Sequence, residues 1–254
     1  MEKLWNNLER ELKTFLDKNG FNKVILGLSG GLDSAVVSVL SAKVLGGKNV
    51  LALMMKTKYT SSLSLEIARK IAKTHNLNYA EIDIDDLVDF ETKLLEKSFN
   101  EPIKEIVVEN LQARIRGQIL MAYSNQFGGM VLGCSNKSEI WTGYCTLYGD
   151  TCGGVEPIGN IYKSTIFELA KWLNKKDDIL PNEVINRAPS AELSYNQKDE
   201  NTLPPYFVLD DILRQMIDEK KENIIGDSNA IRRVKELVEK SYFKRVQMPP
   251  ILKV

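Results

Sequence analysis

Four short apolar runs, at residues 24–28, 50–55, 79–84 and 130–133, alternate with stretches in which apolar residues return every three or four positions. No feature constrains the fold more. Parallel strands cannot be joined by tight turns and need a crossover, usually a helix, so this alternation predicts an α/β chain: a doubly wound parallel sheet with flanking helices. Leu4, Leu8, Leu12, Phe15 and Leu16 predict a first amphipathic helix over 2–18, stopped by Asn19 and Gly20. Crossover helices follow over 34–45, 62–75 and 85–97, a long one over about 104–125, and two terminal ones over 206–219 and 227–242. Residues 143–160 and 186–205 carry no period; loops of that length inside a compact domain are usually functional or mobile.

The 254 residues suit one large domain spanning 1–254, without repeats, low-complexity tracts or an interdomain linker. Lys plus Arg and Asp plus Glu both number 34, so no net charge draws the chain to nucleic acid or an anionic membrane. No apolar run approaches the ~20 residues that span a bilayer, and the charged N-terminus lacks a signal-peptide core, so a cytoplasmic protein is expected. Cys134, Cys145 and Cys152 form no C-x-x-C pair and His75 is the one histidine, so a zinc site lacks ligands. Any metal should be oxygen-bound. His75, near the end of a helix, reads as a surface or last-turn histidine.

The turn after the first strand, Ser29-Gly30-Gly31-Leu32-Asp33-Ser34, opens a helix. Backbone N–H groups and the positive end of the helix dipole converge there, which makes an anion site. Asp33 would repel a phosphate unless a divalent cation lay between them. No lysine follows the glycines as a Walker A loop requires, and G-x-G-x-x-G is absent. The turn after the fourth strand, Gly133 to Glu139, supplies a second carboxylate. At a topological switch point Asp33 and Glu139 would face each other and offer two hard ligands to Mg²⁺.

The first turn resembles the S-G-G-x-D-S loop of the ATP pyrophosphatase superfamily, whose enzymes split ATP between the α and β phosphates. Further segments follow in order: Glu109 to Arg116, Asn136 to Glu139, Gly143 to Asp150, Pro157-Ile158-Gly159, Tyr162-Lys163, Ala188 to Leu193, Asp199-Glu200, Leu203 to Tyr206 and Phe243-Lys244-Arg245. Together they resemble the ammonia-dependent NAD synthetases over nearly the whole chain. The resemblance implies an adenine nucleotide alpha hydrolase-like sheet. It also implies a reaction: ATP adenylates the nicotinate carboxylate of deamido-NAD, pyrophosphate leaves, and ammonia displaces AMP to give NAD.

Site residues follow from the same resemblance. ATP would lie on Gly27, Leu28, Ser29, Gly30, Gly31, Leu32, Asp33 and Ser34, with Cys134, Lys163 and Ser190. Lys163 would neutralise the β or γ phosphate, and Asp33 and Glu139 would ligate Mg²⁺. Deamido-NAD would meet Asn110, Arg114, Phe243 and Lys244; Arg116, two residues from Arg114, must point to another helix face. Asp150 would position ammonia or take a proton from ammonium. Family members are homodimers, and the long helix from Lys104 is the expected dimer surface. With no glutaminase-like segment ahead of the loop, free ammonia or ammonia from a separate protein is the expected nitrogen source.

Four departures from the family pattern stand out: Cys134 for a threonine, Leu147 for a lysine, Gly154 for an acidic residue, and Lys56 with Lys58 for proline or small residues. None touches the phosphate loop or the two carboxylates. The rival readings are an ATP pyrophosphatase that adenylates another acceptor and an ATP-binding module without chemistry. The second would not need Asp33, Glu139 and Lys163 together.

Overall fold

The computed structural model describes residues 1–175 and 179–253. Strands β1 (Val24–Gly27), β2 (Val50–Lys56), β3 (Asn78–Asp83) and β4 (Met130–Val131) form a parallel sheet in the order β3-β2-β1-β4. The pleat sorts the core. Val24, Leu26 and Leu28 face one side with helices α1 (Glu2–Lys18), α2 (Leu32–Leu45), α3 (Ser62–Thr74) and α7 (Lys163–Leu173), while Ile25 and Leu53 face α4 (Asp85–Phe99) and α5 (Glu105–Phe127). Helix α1 buries Trp5, Leu8, Leu12 and Leu16, each worth about 1.5–3 kcal/mol if fully withdrawn from water.

Helix α2 is buried almost all round. Its interior serines satisfy their hydroxyls within the helix: Ser38 donates to Ser34 O and Ser41 to Val37 O, both at 2.7 Å. Beyond β4, α6 (Lys137–Thr142), α9 (Tyr206–Leu213) and α10 (Ser228–Lys240) enclose a smaller core around Tyr162, Leu203, Leu209 and Val234. Two short helices, α8 (Asn182–Asn186) and α11 (Tyr242–Arg245), complete the described α-helices. Among the described residues no helix is long and apolar enough to cross a membrane.

The departures from the sequence expectation are local. Strand β4 pairs with β1 for two residues only; Leu132 then bridges to Val155, and Gly133 N donates to Val155 O at 3.0 Å. The chain at 155–156 therefore takes over the sheet edge there. Helix α9 runs on through a π-turn at Arg214–Asp218. The expected helix over 227–242 breaks at Ser241, whose hydroxyl bonds Trp141 O at 3.1 Å. His75 caps α3 and its ring meets Ile179 O at 2.8 Å.

The chain runs outward from β1 to β2 and β3, then returns to lay β4 on the other side of β1. The turn after β1 leads into α2 and the turn after β4 into α6. A crevice opens between those turns, at the carboxyl ends of the neighbouring strands β1 and β4, where ligands bind in sheets of this type.

Candidate active site

A cavity of about 300 Å³ fills that crevice. Its wall holds Gly27, Ser29, Gly31, Leu32, Asp33 and Ser34 from the β1–α2 turn, Cys134 and Glu139 from the β4–α6 turn, and Asp150, Lys163 and Ser190. Leu28 and Gly30 lie behind the wall: Leu28 is in the core, and Gly30 has φ +78° with its α-carbon pressed on α3, where a Cβ would come 2.3 Å from Ser64 O.

The β1–α2 turn is tied by its own hydroxyls. Ser29 Oγ and Ser34 Oγ lie 3.1 Å apart, Gly31 N donates to Ser29 Oγ at 3.2 Å, and Ser34 Oγ donates to Gly31 O at 3.0 Å. The N-cap of α2, Gly31, has no side chain to cover the first N–H groups. A 14-residue helix thus presents an open positive end to the cavity.

Three charges meet beside it. Lys163 Nζ pairs with Asp33 Oδ2 and stands 3.6 Å from Glu139 Oε1; the lysine side chain is 5% exposed and each carboxylate 16%. Burial would lower the ammonium's pKa, but Asp33 and Glu139 hold it above its ordinary value. Glu139 goes the other way: burial pushes it up to about 8, Lys163 opposes this, and Asp33 adds to it. One ammonium is too little for two buried carboxylates. Among the described residues no set of three acidic, histidine or cysteine side chains could hold a metal. The pair fits a hard divalent cation that takes the rest of its shell from phosphate oxygens and water.

Asn136 fixes this geometry. Its side chain accepts from Glu139 N at 3.1 Å while Asn136 N donates to Glu139 Oε2 at 3.3 Å, a capping box, and its Nδ2 reaches Asp33 Oδ1 at 3.2 Å. The sequence places Glu139 in a first helical turn without giving that helix, α6, a range, although Asn followed three residues later by Glu is the signature of such a start. Behind Lys163, Tyr206 OH donates to Asp199 Oδ2 at 2.7 Å and its ring lies 5.4 Å from the ammonium.

Two loops close over the crevice. In the 186–205 loop, Glu192 accepts from Ser61 Oγ at 2.8 Å, Ser64 Oγ at 2.9 Å and Arg187 Nη2 at 2.6 Å. Burial alone would raise its pKa, but those donors hold it below the ordinary carboxylate value. This anchor, which joins the loop to the start of α3, is not legible in the sequence. Ser190 Oγ donates to Gln197 O at 2.6 Å, so its hydroxyl must turn to reach a phosphate.

The loop after α6 separates the two groups of expected site residues. Its inner side gives Tyr144, Gly149, Asp150 and Cys152 to the cavity. Its outer side is held by Asn110, whose Oδ1 accepts from Thr146 Oγ1 at 2.6 Å, by Arg114 Nε on Leu147 O at 3.3 Å, and by Lys244 Nζ on Cys145 O at 2.6 Å. Phe243 is exposed beside Lys244. The four residues expected on deamido-NAD therefore lie outside the cavity wall, and three of them grip the loop. Asp150 touches water inside the recess, yet enough protein surrounds it that burial pushes its carboxyl up to about 6, against donors that include Thr146 N.

The chain matches the NAD synthase family over residues 4–249. It is 41% identical over 258 residues to the glutamine-dependent NAD(+) synthetase of Synechocystis sp., covering all of this chain and 46% of that protein. It thus spans about half the length of such relatives. Among solved structures it resembles the NH₃-dependent NAD synthetase of Campylobacter jejuni, with TM-score 0.79, 32% identity, and 99% of this chain and 98% of that one covered. It also resembles an NMN synthetase from Francisella tularensis, with TM-score 0.83, 28% identity, and 96% and 95% of the two chains covered. A phosphate-ready helix end facing a carboxylate pair thus sits on a chain that belongs to the NAD synthase family.

Proposed function

We propose that this chain amidates deamido-NAD to NAD with ATP and ammonia, through an adenylated nicotinate. The observation that carries the reading is the meeting of Asp33, Glu139 and Lys163 beside the open end of α2. The triphosphate would lie with its β and γ phosphates on the open N–H groups of 32–34, and Lys163 would turn from the carboxylates to the departing diphosphate. Asp33 and Glu139 would hold Mg²⁺, which when bound offsets phosphate charge and lets both acids stay ionised.

The nicotinate oxygen attacks the α-phosphorus, the bond to the bridging oxygen breaks, and pyrophosphate carries off the electron pair. Ammonia then attacks the acyl carbon and AMP leaves. Asp150, in the recess, would take the proton that ammonium must lose before it can attack. The loop that carries Asp150 would keep water from the adenylate, supported from outside by Asn110, Arg114 and Lys244.

The exposed apolar side chains Phe90 and Leu94, one turn apart on α4, with Ile106 at the start of α5, support a homodimer through this region. Sedimentation of the purified chain should give twice the chain mass. A second reading is favoured by the Francisella neighbour, which is named for making NMN: the same chemistry on the mononucleotide acceptor. One assay tests both. With ATP, Mg²⁺ and ammonium, deamido-NAD should yield NAD and AMP in equal amounts. Faster turnover of nicotinate mononucleotide would select the second reading, and pyrophosphate release with neither acceptor would reject both.

A further inference from the structure

One cation of the cavity wall feels Asp85 and Glu192 only from beyond ion-pair distance. Arg116, on α5, lines the cavity and makes no ion pair among the described residues. Its Nε donates to Met55 O at 3.1 Å. Its Nη1 is buried without an acceptor, and Nη2 has none among the described residues either. Burial brings its pKa down to about 10, so it stays charged at neutral pH. A buried N–H left open costs about 1–3 kcal/mol, which native proteins seldom tolerate away from a binding site.

The neighbouring groups say what would fill it. The ladder from β1 ends where Leu28 N donates to Leu53 O at 2.9 Å; the next carbonyl on that edge of β2 is that of Met55, a residue of the cavity wall whose oxygen Arg116 reaches. Gly27, Leu53, Gly117 and Leu120 make the surroundings apolar and thin, as a flat ring requires. An anion placed there would meet the lone pairs of Met55 O. A ring with an amino group beside a ring nitrogen meets an acceptor and a donor in order.

We propose that Arg116 is a base-reading residue: its guanidinium donates to a ring nitrogen of adenine, N1 or N7, beside the 6-amino group that Met55 O accepts. The proposal rests on reading the cavity as the ATP site and adds a selectivity to it. Guanine and hypoxanthine carry an oxygen at position 6, which would face the Met55 carbonyl lone pairs.

The test reads nucleotide binding by calorimetry, so failure of the amidation assay leaves it intact. ATP, ITP, 1-deaza-ATP and 7-deaza-ATP are titrated into the wild-type chain, Arg116→Lys and Arg116→Met. The wild type should bind ITP and one deaza analogue about 10- to 100-fold more weakly than ATP. Arg116→Met should lose a similar factor for ATP and no longer tell ATP from that analogue. Arg116→Lys, with charge but no planar fork, should fall between. If Arg116→Met does not fold, the wild-type analogue series decides alone. Equal wild-type affinity for ATP and both deaza analogues would overturn the proposal, as would an Arg116→Met chain that keeps its ATP affinity and weakens only in binding deamido-NAD.

Discussion

Replacing Lys163 by methionine removes the cation between Asp33 and Glu139 while keeping the length and apolar stem of the side chain. At 3.6 Å and an effective dielectric of about 20, a fully ionised Glu139 would gain about 5 kcal/mol from Lys163 before desolvation is counted, an attraction forfeited by the share that its raised pKa keeps protonated, so the loss falls chiefly on Asp33. Breaking a buried pair by removing one partner typically costs about 3–5 kcal/mol, because the other charge stays buried without compensation. Lys163→Met should therefore lose about that much in urea unfolding at pH 7.5 without divalent cations. Glu139→Gln should lose much less, because the raised pKa of Glu139 marks it as the acid left over once Asp33 has the ammonium. The sign of the pH dependence follows. Glu139 titrates near 4.5 unfolded and about 8 folded, so between those values the folded state holds a proton that the unfolded state has lost. Its contribution to stability thus falls as pH rises through that window, and Glu139→Gln should flatten this slope. A Lys163→Met chain within about 1 kcal/mol of wild type, or a Glu139→Gln chain equally damaged, would refute a shared and insufficient cation.

Gly30→Ala puts a methyl group 2.3 Å from Ser64 O at a φ of +78°, so it should cost stability and raise the KM for ATP well before it affects the acceptor, as steady-state kinetics would show. Glu192→Gln removes the charge that gathers Arg187, Ser61 and Ser64; cleavage of the 186–205 loop by added protease should become faster, and unchanged protection would count against the anchor. Asp150, pushed up to about 6, should give the wild type an acid limb near pH 6 in its rate with ammonium at saturating ATP, and Asp150→Asn should erase that limb.

The strands and crossovers are legible in the sequence because each is written in local periodicity. The α1 stripe of Leu8, Leu12 and Leu16 is buried as its spacing requires, and the β1 run carries Val24 and Ile25 to opposite faces. The phosphate turn is legible because it is contiguous and needs glycine at Gly30. Where local signals are weak the reading falls short: α6 is one and a half turns long and shows only as an Asn–Glu spacing, and the end of β4 depends on the distant segment at 155–156.

The amino-acid order alone determined the alternating fold class, the glycine turn that opens α2 and the meeting of Asp33 with a second acid beyond the fourth strand. Tertiary structure alone decided that Lys163 stands between those acids, that Glu192 ties the 186–205 loop to α3, and that Arg116 makes no ion pair among the described residues. The physical reason is range. Helix and strand patterns follow from neighbours a few residues apart, whereas the charge balance at Lys163 depends on Asp33, 130 residues away in sequence, which only the packed sheet brings to it.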